Sequence, residues 1–332
     1  MTTDKLGLAH FQYDLPGELI AQKPAEPRDH SRLLVYDRAT GQLTDDHFYN
    51  LATWLPPNTL LVLNNSRVEK ARLLFGNKEV FVTRVVDPFT VEAMVRPGRA
   101  FRQGRQLELG GIGAEVLSVQ HDGQRIVRFD QALDQECFEP YRRTPFPPYI
   151  AADEDLSERY QTIYARTEGS KAAPTAGLHF TDRVFSSLEQ KGIARTEVTL
   201  HVGLGTFAPV KAENIQEHTM HSEWYQVTDS TAQTLQQAGH ITAVGTTSAR
   251  VLESLARSGS FRECEAETDI FITPGHTFRA VNAMITNFHL PGSTLLMMIA
   301  AFTGLEEMHR IYRHAIAEEY RFYSFGDAML LL

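Results

Sequence analysis

Apolar positions along the chain fall into two textures. LLVY at 33–36 and residues 43–48 flank Asp37–Gln42 (DRATGQ), which supplies the turn, and predict a β-hairpin. TLLVL at 59–63 is a further apolar strand. From Phe75 to Phe129 short β-rich pieces recur: VFVTRVV, TVEAMVR, QLEL, AEVLSV and QRIVRF. Turn signals at Asp87-Pro88, Pro97-Gly98, Gly110-Gly111 and Asp122-Gly123 separate them, which predicts a small antiparallel barrel or sandwich. TPFPPYI at 144–150 closes this section as a stiff, proline-rich linker.

Beyond about residue 155 helical and strand periodicities alternate. Thr181 caps a helix whose apolar stripe is Val184, Phe185 and Leu188, ending at Gly192. A strand at 197–202, a polar helix near 229–238, the strand ITAVG and a helix at 248–257 follow. DIFIT at 269–273 predicts another strand; Ser293 caps an apolar helix to Thr303, and an amphipathic helix spans 305–319. Such alternation predicts a layered α/β sheet. The first sixty residues hold too few elements to close a core alone. They are therefore expected to join the C-terminal half: residues 1–64 and 149–332 form a larger, discontinuous α/β domain. Residues 65–148 form a smaller antiparallel β-barrel domain inserted into it.

Charge changes this picture locally. The chain carries a formal net charge of −9, which argues against a simple electrostatic nucleic-acid binder. Between Leu60 and Gly110, however, nine basic residues face five acidic ones. Arg96, Arg99, Arg102 and Arg105 form a ladder there, a candidate RNA contact or an ordinary solvated loop. No run of about eighteen apolar residues predicts a membrane span. The N-terminus MTTDKLGLAH lacks the pattern of a signal peptide, and two distant cysteines, Cys137 and Cys264, suggest no disulfide framework. A cytoplasmic, monomeric protein is expected.

Three loops rich in glycine and hydroxyl groups carry the candidate chemistry: AAPTAGLHFT at 172–181, HVGLGTF at 201–207 and VGTTSAR at 244–250. Beside helix N-termini such loops present N–H groups to anions. None is a P-loop, and Gly203 with Gly205 makes only half of a dinucleotide fingerprint. His179, His201, His218, His221 and His289 lie in or near glycine-rich or turn-like segments and are candidate proton carriers. His218 and His221 with Glu223 lack metal-site spacing, so no metal is expected. The aromatic residues Phe322, Tyr323, Phe325, Trp224 and Tyr225 suit stacking on a purine or holding a sulfonium, or plain core packing.

Several segments resemble the S-adenosylmethionine:tRNA ribosyltransferase-isomerase family: AQKPAEPRDHSRLLV at 21–35, RYQTIYAR at 159–166, GSKAAPTAGLHFT at 169–181 and TLHVGLGTFAPV at 199–210. So do EHTMHSEWY at 217–225, VGTTSARVLES at 244–254, TDIFITPG at 268–275, MITNFHLPGSTLLM at 284–297 and YRFYSFGDAML at 320–330. LNNSRV at 63–68 departs from the family's L-N-D-T-R-V, with Asn65 in place of an acid. The resemblance implies an α/β domain with an inserted β-barrel. It also implies transfer and isomerisation of the ribosyl part of S-adenosylmethionine onto 7-aminomethyl-7-deazaguanine at the tRNA wobble position. Epoxyqueuosine-tRNA, adenine and methionine would result. S-adenosylmethionine is then a consumed substrate, no cofactor is required, and the anticodon region of tRNA is the partner.

Such a reaction needs a base, an acid for adenine departure, a carboxylate or aromatic neighbour for the sulfonium, and donors for the methionine carboxylate. His201, His221, His289 and Glu223 are the catalytic candidates. Thr175, Gly177, His179, Gly203, Gly205, Thr246, Thr247, Arg250 and Asp327 are the substrate-binding candidates. An S-adenosylmethionine-dependent tRNA methyltransferase, a non-enzymatic RNA binder and a metal hydrolase are the competing readings.

Overall fold

The computed structural model describes residues 7–332 apart from 152, 204–209, 211 and 213. The chain divides into two compact units, one holding the chain up to Arg67 with Pro147–Leu332, the other Val68–Phe146.

The first unit is built on nine strands: β1 (Arg32–Asp37), β2 (Gln42–His47), β3 (Thr59–Asn64), β4 (Ala194–Leu200), β5 (Glu223–Val227), β6 (His240–Val244), β7 (Cys264–Thr268), β8 (Ala283–Asn287) and β9 (Ala328–Leu331). Their order is β7-β5-β4-β3-β6-β8-β9-β1-β2. The central strands β4, β3, β6 and β8 are mutually parallel, as are β9 and β1. The other neighbours pair antiparallel, so the sheet is mixed. TLLVL is apolar throughout because both faces of β3 are covered. Leu61 and Leu63 pack with Phe48, Leu51, Phe180, Val184 and Leu188 on one face. Leu60 and Val62 join Val251, Leu252, Met297 and Ile311 on the other.

Among the described residues six α-helices accompany the sheet: α1 (Leu51–Trp54), α2 (Asp182–Gln190), α3 (Asp229–Gln237), α4 (Gly245–Arg257), α5 (Thr294–Thr303) and α6 (Leu305–Ala317). Thr181 and Ser293 cap α2 and α5, accepting the N–H groups of Val184 and Leu296. Two expectations are corrected. Helix α4 starts at Gly245 rather than Ser248, because Gly245, at φ +85°, lets the chain turn from β6 straight into the helix. The strand expected at 269–273 lies earlier, at β7. There Glu265 and Glu267 project from an edge strand, bonded to Gln226 and Ser222. Ile270 and Ile272 are buried beyond its end.

The second unit is an antiparallel ladder of seven strands. Its order is Arg142–Arg143, Arg72–Phe75, Lys78–Asp87, Thr90–Arg96, Arg125–Phe129, Ile112–Val119 and Gln106–Leu109. Val80, Val91, Val116 and Val127 are buried with Phe101 and Phe138. The expected barrel is a half-barrel: its two end strands do not pair with each other among the described residues.

Candidate active site

Ligands of α/β sheets settle where parallel strands end and their loops diverge. Here a cleft opens at the carboxyl ends of β6 and β8. It is lined by Ala173–Ala176, Val202, Gly245–Thr247, Thr286–Leu290, Ser293, Leu295, Tyr323, Ser324 and Tyr149. No Asp, Glu, Lys or Arg is among these residues, so the cleft's polarity comes from dipoles, hydroxyls, an amide and one imidazole.

One wall is the first turn of α4. Among the described residues no side chain caps this helix, so its leading N–H groups have no side-chain acceptor, and the helix dipole favours negative charge there. The Thr247 hydroxyl is buried there without a hydrogen-bond partner among the described residues. Ala176 from the 172–181 loop lies 3.6 Å from where a Cβ on Gly245 would sit, so the loop and the helix start meet closely.

His289 forms a further part of the lining. Its Nε2 hydrogen-bonds the Thr286 hydroxyl at 2.8 Å. Its backbone is clamped on both sides: the N–H donates to the Tyr312 hydroxyl at 2.9 Å, and the Tyr13 hydroxyl donates to the carbonyl. Burial pushes the imidazole down to about 3, so it is neutral near pH 7. Tyr149 and Tyr323 supply an aromatic side, with ring centroids 4.8 Å apart. Tyr323 takes φ +70°, an uncommon conformation for an aromatic residue. Gly326 N–H and the Asn287 amide hold its carbonyl.

The structure brings Thr175, Thr246, Thr247 and His289 together in this cleft. The other candidates lie elsewhere. His179 sits behind it, bonded through Nδ1 to Ser31 and through Nε2 to Asn287, its ring against Phe48. Gly177 is packed under Tyr164, whose hydroxyl lies 2.1 Å from an added Cβ. His201 stacks on Trp224 with ring centroids 4.8 Å apart and is not among the lining residues, although its neighbour Val202 is, and His221 is exposed. Gly205 lies outside the described residues.

Glu223 and Arg250 do not line the cleft either. They form a buried ion pair with each other. Glu223 also accepts the Gly203 N–H at 2.8 Å, and Arg250 donates to the Thr268 carbonyl. This network ties the start of the loop after β4 to α4 and β7. Arg250 Nε is buried without a hydrogen-bond partner among the described residues, and the side chain borders a separate cavity with Ile270 and Met298. Asp327 is likewise engaged, accepting the Arg32 and Arg321 N–H groups and pairing with the Arg321 guanidinium at 2.8 Å.

Arg96, Arg99, Arg102 and Arg105 are all exposed, and none forms a salt bridge among the described residues. Asn65 donates to Glu197 and accepts from Thr199. Among the described residues no group of three His, Cys, Asp or Glu could hold a metal, and no helix is long and apolar enough to cross a membrane. Residues not singled out from sequence complete the site: Asn287, Thr286, Tyr149 and Tyr312. Of these, only Thr286 and Asn287 carried a signal, lying beside His289 in a turn-forming stretch.

A pH dependence follows. Burial pushes His179 down to about 4 and His289 to about 3, below the ordinary 6.5. The folded protein therefore binds fewer protons than the unfolded chain, and stability falls as pH drops below 6.5. Each group removes about 1.4 kcal/mol by pH 5.5. Urea unfolding at pH 7.5 and 5.5 checks this: His179→Gln is expected to remove its share of the pH-dependent loss. An unchanged loss would contradict the neutral buried ring.

Comparison with known proteins adds the family. Residues 8–331 match the family described as queuosine biosynthesis protein. The S-adenosylmethionine:tRNA ribosyltransferase-isomerase of Ralstonia pickettii is 48% identical over 342 residues, covering 98% of this chain and 94% of that protein. The protein of that name from Thermotoga petrophila is 46% identical over 335 residues, covering 98% and 99%. A solved structure, S-adenosylmethionine tRNA ribosyltransferase from Thermotoga maritima, aligns with a TM-score of 0.58 at 37% identity. It covers 97% of this chain and 100% of that one. With matches that run the length of both units, the chain belongs to the queuosine biosynthesis protein family of S-adenosylmethionine:tRNA ribosyltransferase-isomerases.

Proposed function

We propose that the cleft binds S-adenosylmethionine and that the enzyme transfers and isomerises its ribosyl part onto 7-aminomethyl-7-deazaguanine in tRNA. The observation that carries this reading is the pairing, among the described residues, of a helix start without a side-chain cap and a neutral histidine in a cleft whose described lining holds no charged side chain. The N–H groups at the start of α4, with the Thr247 hydroxyl, receive the methionine carboxylate. The Tyr149 and Tyr323 rings offer π-faces to the sulfonium.

The sulfonium acidifies the adjacent 5′ carbon. His289, neutral and held by Thr286, accepts a proton from that carbon. As an imidazolium it is then a strong acid, able to return the proton to departing adenine. The tRNA amine attacks the remaining sugar and releases one N–H proton to water as the new C–N bond forms, and methionine leaves with the electron pair of the broken carbon–sulfur bond. Exposed Arg96, Arg99, Arg102 and Arg105 contact tRNA phosphates.

Purified protein, S-adenosylmethionine and tRNA bearing the aminomethyl base are expected to yield adenine and methionine in equal amounts, with epoxyqueuosine in the digested tRNA. Release of S-adenosylhomocysteine without adenine would identify methyl transfer instead. In the same assay Arg99→Glu with Arg102→Glu is expected to raise KM for tRNA about tenfold or more, leaving that for S-adenosylmethionine near its original value. Equal changes in both would contradict the arginines' role.

A further inference from the structure

Asn287, the last residue of β8, is 2% exposed and lines the cleft. Its surroundings fix which way its amide points. One amide end lies 3.1 Å from the Tyr323 carbonyl and 3.5 Å from the Asp327 carbonyl. Backbone carbonyls only accept hydrogen bonds, so that end is the NH2 group. The same NH2 lies 3.1 Å from His179 Nε2, which must therefore be an acceptor. The ring proton then sits on Nδ1 and donates to the Ser31 hydroxyl at 2.7 Å. A proton on Nε2 would oppose the NH2 group, and burial, which lowers the ring's pKa, keeps it to a single proton.

This chain of bonds leaves one atom over. Asn287 Oδ1 is buried and has no hydrogen-bond partner among the described residues. A buried acceptor without a donor is costly, and such groups in native proteins commonly mark a ligand contact. The clamp also fixes its polarity, because turning the amide would set its oxygen against two carbonyls. An acceptor that cannot become a donor rejects groups that only accept and pairs with an N–H or O–H donor. An ammonium or adenine-type amino group fills such a buried site best, because a hydroxyl brings acceptor lone pairs of its own that would also need partners.

Building on the S-adenosylmethionine reading of the cleft, we infer that Asn287 Oδ1 receives an N–H donor of that substrate. Ser31 and His179 act as positioning residues that hold Oδ1 as an acceptor. The substrate carries two such donors, the adenine amine and the α-ammonium group. His179 thus acts through Asn287 and touches no substrate itself.

Ligand binding without tRNA tests the inference, using S-adenosylmethionine and two analogues. One has a 6-oxo group in place of the purine amine; the other lacks the α-amino group. The native enzyme is expected to bind one of the two at least about tenfold more weakly than S-adenosylmethionine. That analogue identifies the donor. Asn287→Ala should bring the ratio close to one. Ser31→Ala, which frees His179 to carry its proton on Nε2, should reduce the same ratio with both carbonyl clamps on Asn287 retained. A purely structural loss would weaken all three ligands together and leave the ratio intact. The inference is overturned if the native enzyme distinguishes neither analogue, or if both variants keep the native ratio. Failure of the native enzyme to bind S-adenosylmethionine at all would instead overturn the reading of the cleft.

Discussion

His289→Ala is expected to lower turnover about 10²–10⁴-fold, the usual worth of a positioned proton carrier. Affinity for S-adenosylmethionine should change by less than about threefold, because loss of a group acting in the transition state appears in kcat. The division follows from the geometry. The carboxylate end of the substrate is assigned to α4, while the imidazole is aimed by Thr286 and clamped through its backbone by Tyr312 and Tyr13. Single-turnover kinetics with saturating substrate measures the chemical step directly. A raised KM with unchanged kcat would remove His289 from the chemistry and leave it as a wall of the cleft.

The second large effect concerns stability. Glu223→Leu is expected to cost about 3–5 kcal/mol, because it strands the Arg250 guanidinium in a buried site. Both side chains are almost wholly enclosed, 3% and 4% exposed, so solvent does little to screen the pair. The change also removes the acceptor of the Gly203 N–H. Glu223→Leu combined with Arg250→Met should recover most of the loss, since neither charge then remains buried. Urea unfolding of the single and double variants measures the difference. A single-variant loss below about 1 kcal/mol would mean that the pair is not desolvated. The corresponding loss of activity is expected to track the folded fraction, as these residues brace the loop after β4 and do not line the cleft.

Local signals made much of the fold legible. Thr181 and Ser293 announce α2 and α5 because a hydroxyl before an apolar stripe satisfies the first N–H groups. TLLVL announces a buried strand because nothing in it can face water. Edge strand β7 escaped notice for the converse reason: its glutamates point outward, while Ile270 and Ile272, apolar and buried, lie outside the ladder. The start of α4 was set too late because glycine and two threonines resemble a loop. In the structure they are the helix's own first turn.

The site was legible as a set of segments more than as a set of roles. Glycine and hydroxyl patterns picked out Thr175, Thr246 and Thr247, and a turn-like segment picked out His289; all line one cleft. What sequence could not supply was pairing across distance. Glu223 and Arg250 stand 27 positions apart, on β5 and α4, and only folding sets them against each other. His179 and Asn287 are separated by 108 positions, and their shared hydrogen bond changes the meaning of both. A histidine in a glycine-rich loop suggests contact with substrate, yet His179 has both ring nitrogens occupied by protein. Tyr149 and Tyr323 are 174 positions apart, and nothing short of the tertiary structure joins them.

The central claim is that S-adenosylmethionine lies at the carboxyl ends of β6 and β8. A crystal structure of the enzyme with S-adenosylmethionine tests it most directly. The account predicts the methionine carboxylate within hydrogen-bond distance of the N–H groups of Thr246 and Thr247, with the 5′ carbon beside His289. S-adenosylmethionine bound elsewhere on the protein, with the Thr247 hydroxyl and His289 untouched, would contradict it.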